Sequence, residues 1–444
     1  MSESLSLSRR VLVTQITRRL RARGHQAYLV GGCVRDTLLG IVPKDYDIST
    51  DARPEQVESY FPGSQTVGAH FGVVLVCTGP GVHVEVATFR SEQTYSDGRR
   101  PDHVHFEIDP ALDAIRRDFT INGMMQDPIS GEIVDFVGGR ADLSAKIIRA
   151  IGGPDERFQE DHLRMLRAVR FAARLDFSIE AETMNGIRRS ASCICKISPE
   201  RIRDELVRIL TEGHARRGFE LLEETGLLIH VLPEVKAFQG VQQPPEFHPE
   251  GDVWNHVLLM LDQLRYPTET LALAVLFHDV GKPVTFRIAD RIRFNGHAEV
   301  GAEMTRKILS HLRFSNDEIN HVTALVANHM RFKDVLQMRL STLKRFLRLP
   351  DFGEHLELHR LDCLASNGRM DSYEFVRTKL ADLRQEELRP GRLISGNDLI
   401  AAGYKPGPHF SKALEAVETA QLEGEIQTRD EALALARSVL DEAA

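Results

Sequence analysis

Apolar residues recur at helical spacing from the start of the chain. Leu7, Val11, Ile16 and Leu20 predict a helix over residues 7–23, which Gly24 ends. Residues 27–30 read as a short strand leading into Gly31-Gly32, and a brief helix from Val34 to Leu39 stops at Gly40. Residues 45–49 read as a second strand, and Pro54 fits the first turn of a helix reaching Tyr60. Residues 73–77 and 82–89 read as further strands. In the latter, Val82, Val84 and Val86 face one way while His83, Glu85 and Ala87 face the other. The polar stretch 90–109, holding Gly98 and Pro101, predicts a long loop. From Asp155 onward the periodicity is almost wholly helical. The expected fold is an α+β N-terminal part, a small mixed sheet with helices, followed by an all-α remainder.

No Gly/Ser linker separates the parts. The joints are Gly138-Gly139, Gly152-Gly153-Pro154 and the stretch 239–249 with Pro244-Pro245. The expected division of the chain is 1–150, 151–245, 246–385 and 386–444, the last starting just ahead of Gly391. A length of 444 residues is too great for one small core. A net charge of -8 excludes a protein whose whole surface coats nucleic acid, but leaves room for a local basic groove. Residues 161–217 carry 12 Lys or Arg against 8 Asp or Glu, a mildly basic segment in an acidic chain. The five cysteines form no C-x-x-C pair, which fits a reducing compartment. No signal-peptide core and no apolar run of about 20 residues is present, so no membrane is expected and the expected location is cytoplasmic.

Asp45 and Asp47 stand two residues apart on the second predicted strand, so both point to one face. That spacing suits a shared pair of Mg²⁺ ions, which activate an attacking hydroxyl and stabilise a leaving pyrophosphate. Glu85 is a candidate third ligand. A lone D-x-D is a weak signal, but this one follows Gly31-Gly32-Cys33-Val34-Arg35-Asp36. Gly32 lets backbone amides approach a triphosphate, and Arg35 can fork onto phosphate oxygens.

The run Tyr28–Thr50, with G-G-x-V-R-D and K-D-x-D-I, resembles the catalytic head of class II tRNA nucleotidyltransferases and bacterial poly(A) polymerases. Four later stretches extend the resemblance in order. Residues 116–122, with Arg117, Asp118 and Asn122, are similar to the family's ribose-recognition motif. Residues 135–143 resemble the hinge between head and neck, and 160–164 the nucleobase-reading motif. Residues 198–206 resemble the helix that supports the neck. The resemblance implies a catalytic head over 1–150, with Asp45 and Asp47 on the metals. It implies a helical neck and body over 151–245, where Asp161 and Arg164 read the base. Three residues apart on one helix, that pair would share a face. Its carboxylate and guanidinium match the amine and acceptor on the Watson–Crick edges of C and A, and reject U and G. Arg167, Arg170 and Arg174 continue along that side, the first two as candidate triphosphate holders.

The implied activity is template-independent addition of CMP and AMP from CTP and ATP to the tRNA 3′ end. Addition of A alone and poly(A) synthesis are the narrower alternatives. In the family a flexible loop corresponding to residues 90–101 is tied to the switch from C to A; here it is full length.

The second half is rich in histidine. His256, the adjacent His278-Asp279, His297, His329 and Asp362 supply nitrogen and oxygen ligands suited to Mn²⁺, Ni²⁺, Fe or Zn²⁺. Residues 246–385 resemble an HD-type phosphohydrolase domain. That resemblance implies one metal on His256, His278, Asp279 and Asp362, and a second on His297 and His329. A phosphodiesterase or phosphatase is therefore the rival function from another class. Residues 386–444, starting Leu393-Ile394-Ser395-Gly396, read as a small helical tail. Oligomeric state is not legible.

Overall fold

The computed structural model describes residues 2–67, 72–79, 82–93, 103–246, 248–383 and 388–442. The chain divides into two compact units. One runs to Lys236 and takes in Leu264–Tyr266; the other comprises Ala237–Gln263 and Pro267 onward.

The first unit opens with α1 (Ser2–Arg21), whose buried stripe is Leu12, Val13, Ile16 and Leu20. Gly24, at φ 86°, ends it: the amide of His25 turns back to the carbonyl of Leu20 at 3.1 Å. Then come β1 (Ala27–Val30), α2 (Gly32–Leu38), β2 (Asp47–Thr50), α3 (Pro54–Tyr60), β3 (Gln65–Thr66), β4 (Val73–Gly79) and β5 (Val82–Thr88). With β8 (Met125–Gln126) and β9 (Ile133–Val134), met further along, the strands form one mixed sheet in the order β3-β4-β5-β2-β1-β8-β9. Its one parallel pair, β2 with β5, sets Asp47 opposite Glu85. Val74, Val76, Val84, Val86 and Ile48 are buried, as the alternation predicts.

Two readings are corrected in this region. Asp45 precedes β2 rather than lying within it. The register runs from Ala27↔Thr50 to Val30↔Asp47, after which Gly31 turns the partner strand away, so among the described residues no strand is in register with Asp45. The stretch 90–109 is not all loop: β6 (Arg90–Gln93) pairs antiparallel with β7 (His103–Phe106). Polar side chains on both strands hid the hairpin. Its intervening residues, with Asp97, Arg99, Arg100 and Pro101 of the expected switch loop, lie outside the described residues.

After α4 (Pro110–Ile115) and a 3₁₀ turn, Thr120–Asn122, the chain passes α5 (Gly139–Ala145) and β10 (Ile147–Ile148). A Cβ on Gly139 would stand 2.2 Å from the Thr120 carbonyl oxygen, so only glycine lets α5 lie on that turn. The helical part follows: α6 (Pro154–Glu160), α7 (Leu163–Leu175), α8 (Ala181–Ser190), α9 (Pro199–Thr211), α10 (Ala215–Glu224), α11 (Leu228–Val231) and α12 (Pro233–Lys236). A short strand, β11 (Ser178–Ile179), pairs with β10. One face of α7 buries Met165, Leu166, Val169 and Ala172; its arginines take the other.

The second unit is helical: α13 (Val253–Gln263), α14 (Glu269–Phe277), α15 (Lys282–Thr285), α16 (His297–His311), α17 (Asn316–Asn328), α18 (Leu340–Leu347), α19 (Phe352–Ala365) and α20 (Asp371–Asp382). The hairpin β12 (Arg287–Ile288) with β13 (Ile292–Arg293) interrupts it. The last three helices, Gly396–Ala401, Pro408–Glu423 and Arg429–Asp441, share a core of Leu399, Val417, Ala436 and Leu440. Among the described residues no helix is long and apolar enough to cross a membrane.

Candidate functional site

A cavity of about 650 Å³ in the first unit gathers most of the residues picked out from the sequence: Gly32, Arg35, Asp45, Asp47, Arg117, Asp118, Asn122, Asp161, Arg164, Arg167 and Arg170. Gly31 makes the turn from β1 into α2 at φ 76° and ψ -140°. A Cβ there would meet Arg117 Nη1 at 3.4 Å and Asp47 Oδ2 at 4.0 Å, so the glycine admits both side chains to the turn. The helix begins at Gly32, two residues before the predicted start, and its first amides border the cavity.

Asp45 is 76% exposed while Asp47 is half-buried. Burial, and then the Glu85 carboxylate across the parallel pair, push the Asp47 carboxyl up to about 6, against the pull of Arg117. A site that crowds carboxylates in this way is suited to cations. Glu85 itself is outside the cavity lining.

Arg35 is buried and already occupied. Its Nε and Nη2 donate to Asp36 Oδ1 at 2.8 and 2.6 Å, and Nη1 donates to Asn122 Oδ1 at 2.7 Å. It borders the cavity as a tie between α2 and the 3₁₀ turn rather than as a free fork. Asn122 passes the tie on, donating from Nδ2 to Asp118 Oδ1 at 3.0 Å. Asp118 Oδ2 accepts from Arg167 Nε and Nη2 at 2.9 and 2.7 Å. Burial raises the Asp118 pKa, but Arg167 and the Asn122 amide overcome it and hold the carboxyl at about 2. Arg117 Nη2 donates to Asp113 Oδ2 and to Ser49 Oγ, at 2.8 and 3.2 Å. Burial raises the Asp113 carboxyl too, yet Arg117 and Arg116 draw it well below the usual carboxylate range.

Asp161 and Arg164 both border the cavity but do not ride one helix. Asp161 is the extended residue that ends α6, and its Oδ1 accepts the amide of Leu163, the first residue of α7. An Asp offering its side chain to a helix start competes with helix continuation, which is why the run breaks there. Arg201 on α9 clasps Asp161 through both oxygens, at 3.2 and 2.8 Å. Arg164 is held by Glu160 Oε2 and by the carbonyls of Arg157 and Arg116. Arg170 lies over the Phe171 ring and pairs with Glu205 at 2.6 Å; Arg174 pairs with Asp36 at 3.2 Å.

Asp113, Ser49 and Glu205 were missed by the sequence reading. Asp113 precedes Arg117 by four residues, a helical ion-pair spacing that could have revealed it. Ser49 and Glu205 give no such local signal.

In the second unit, a cavity of about 970 Å³ is bordered by Asp279, His297, His329 and Asp362. The candidate ligand atoms fall into two groups of three, His256 with His278 and Asp362, and Asp279 with His297 and His329. Each group lies within 4.8 Å. Asp279 faces both groups: its Oδ2 lies 3.2 Å from His278 Nε2, and its Oδ1 lies 3.6 and 3.8 Å from His297 and His329.

The Nδ1 atoms of His278, His297 and His329 face the carbonyls of Val275, Phe294 and Val326, at 3.0, 2.8 and 2.6 Å. His256 Nδ1 faces Glu250 Oε1 at 2.7 Å. These partners place the proton on Nδ1 and turn each Nε2 lone pair inward. His256 Nε2 and His278 Nε2 are buried with carboxylates 3.2 Å away, yet make no aligned hydrogen bond. Glu250, and Lys282, whose Nζ lies 2.6 Å from Asp279 Oδ2, were not anticipated from the sequence.

A profile of the poly A polymerase head domain matches residues 27–149. One described as a probable RNA and SrmB-binding site of polymerase A matches 176–239. A third, a putative second domain of tRNA nucleotidyltransferase, matches 297–436. The chain is 34% identical to a CCA-adding enzyme of Bacillus pumilus over 424 residues, 93% of each protein. It is 41% identical to one of Lactobacillus helveticus over 250 residues, 54% of this chain and 61% of that enzyme. Its fold matches the crystal structure of the Bacillus stearothermophilus CCA-adding enzyme in complex with CTP at a TM-score of 0.72, with 28% identity and 97% of each chain covered.

Proposed function

The chain belongs to the CCA-adding enzyme family, and we propose how its own residues carry the reaction of that family. It adds CMP and AMP to the 3′ end of tRNA without a nucleic-acid template, from CTP and ATP. The observation that carries the assignment is one cavity holding a carboxylate cluster, a glycine turn at a helix start and a wall of arginines.

Transfer of this type depends on a divalent cation, and the raised carboxyl of Asp47 among Asp45 and Glu85 fits one. Asp45 and Asp47 would hold Mg²⁺, which activates the 3′-hydroxyl and neutralises the leaving pyrophosphate. Gly32 offers backbone amides to the triphosphate, and Arg35 keeps that turn in place through Asp36 and Asn122. Asp118, fixed by Arg167 and Asn122, accepts from a ribose hydroxyl, and Arg117 supplies positive charge beside Asp47. Asp161 and Arg164 offer an acceptor and a donor to the base, with Arg201 and Glu160 holding them in place. Buried partners left unsatisfied by U or G give the selectivity. Arg170, tied to Glu205, stiffens the α7 wall. The segments 1–150, 151–245, 246–385 and 386–444 serve as catalytic head, base-reading neck and body, metal-binding helical domain and tail. A tRNA substrate supports a cytoplasmic location.

The test uses tRNA transcripts ending before CCA, at C and at CC, each incubated with CTP, ATP or both plus Mg²⁺. Extension of the shortest to full CCA is expected. Extension of the CC transcript alone would reduce the activity to A addition, and long ATP ladders would replace it with poly(A) synthesis.

A second reading concerns the other unit. The inward Nε2 atoms support a divalent transition metal such as Mn²⁺, Ni²⁺, Fe or Zn²⁺ on His256, His278 and Asp362, and another on Asp279, His297 and His329. HD-type hydrolysis of a phosphate ester is the activity this supports. Metal analysis after extensive dialysis tests it, and a metal-free protein that also fails to bind added Mn²⁺ at this cluster would remove it.

A further inference from the structure

The buried stripe of α1 steps through Leu12, Val13, Ile16 and Leu20, and one turn earlier the same stripe position is Arg9. An apolar residue would satisfy the packing there. Arg9 is instead 19% exposed, and its Nε is buried without a hydrogen-bond partner, an arrangement that costs stability. What the guanidinium gains is at its other end. Nη1 donates to Asp45 Oδ1 at 3.0 Å and also to the carbonyl of Lys44. Its neighbour Arg10 is exposed and takes no part. Asp45 needs such a hold: it lies ahead of β2, outside the sheet register, and is 76% exposed. Arg9 is not among the residues that border the cavity, whereas Asp45 is, and the bond between them engages Asp45 Oδ1.

We propose that Arg9 is a positioning residue for the divalent cation of nucleotidyl transfer, fixing the Lys44–Asp45 segment so that the Asp45 carboxylate stands ready beside Asp47. This rests on the reading of Asp45 and Asp47 as metal ligands. Partners that orient a ligand carboxylate contribute about ten- to a hundredfold to metal affinity when they are lost.

The experiment compares the full-length protein with Arg9→Gln, which keeps the stem and drops the charge, and with Arg9→Lys. Mn²⁺ binding is followed by electron paramagnetic resonance in the presence of CTP, and the component that disappears in Asp47→Asn is assigned to this site. Arg9→Gln is expected to weaken that component about tenfold. At limiting Mg²⁺ its kcat for CMP addition falls, at saturating Mg²⁺ it recovers, and the KM for tRNA stays constant. Arg9→Lys restores part of the affinity. A merely structural role would lower the melting temperature without moving the Mn²⁺ midpoint, and that result overturns the proposal. Tighter Mn²⁺ binding in Arg9→Gln also overturns it, by making Arg9 a competitor of the metal. Full transfer activity in Asp45→Asn and Asp47→Asn would instead remove the underlying reading of the ligands.

Discussion

Replacing Arg167 by Ala tests the electrostatic frame of the nucleotide cavity. Asp118 has two oxygens. Oδ1 is served by the Asn122 amide and the Phe119 backbone, and Oδ2 by Arg167 alone. The carboxyl is held at about 2 against an ordinary value of 3.8. At about 1.4 kcal/mol per pH unit this amounts to roughly 2–3 kcal/mol of stability at neutral pH. Arg167→Ala removes every bond to one oxygen, so a loss of about 2 kcal/mol is expected. For a unit of this size that lowers the melting temperature by about 4–8 °C. The sign with pH follows from the depressed value. The contribution is complete above the unfolded carboxyl's range, roughly halved near pH 3, and gone below about pH 2. The gap between wild type and Arg167→Ala should therefore shrink as the pH falls, and Asp118→Asn/Arg167→Ala should be less destabilised than the sum of the single variants. Thermal unfolding from pH 7 to pH 3, with the KM for ATP at pH 7, is the assay. An unchanged melting temperature at pH 7, or a gap that stays constant with pH, would refute the argument.

Three further expectations use different residues. Gly139→Ala drives a Cβ to 2.2 Å from the Thr120 carbonyl and should cost about 1–3 kcal/mol, read by urea denaturation; a neutral result would mean that α5 can shift freely. Arg201→Ala unclasps Asp161 and should lower the preference for CTP and ATP over UTP and GTP about tenfold, measured by single-nucleotide addition with each triphosphate. His278→Ala should remove the transition metal of the His256, His278 and Asp362 group and any hydrolysis of bis-p-nitrophenyl phosphate while leaving CCA addition within about twofold, because its side chain belongs to the second unit's cluster. Loss of both activities together would speak for a shared role.

What the sequence revealed depended on whether the information was local. Residues 27–30 and 54–60 were placed to the residue, because strand alternation, Gly31 and Pro54 act within a few positions. The carboxylates Asp45 and Asp47 were found by spacing, yet the same spacing misplaced Asp45 in a strand, since strand ends are set by the partner's register. Arg35 was read as a free fork because Asn122, which occupies it, is 87 residues away. From α9, Glu205 acts on α7 and Arg201 on Asp161 ahead of it, and no window of neighbouring residues contains them both with their targets. In the second unit the ligand types were legible, but that Asp279 stands between both groups follows from the packing around it.

The break at Asp161 sets a condition on how this enzyme can be re-engineered. The carboxylate proposed to read the base also accepts the first amide of α7, that of Leu163, in the helix that carries Arg164, Arg167, Arg170 and Arg174. A library randomised at position 161 is thus screened twice, once for base choice and once for helix initiation. Side chains that can accept a backbone amide, Asn, Ser and Thr, will be over-represented among folded clones whatever nucleotide is supplied. Altered specificity through an apolar residue there will need a new cap elsewhere, with position 162 the nearest place to build one.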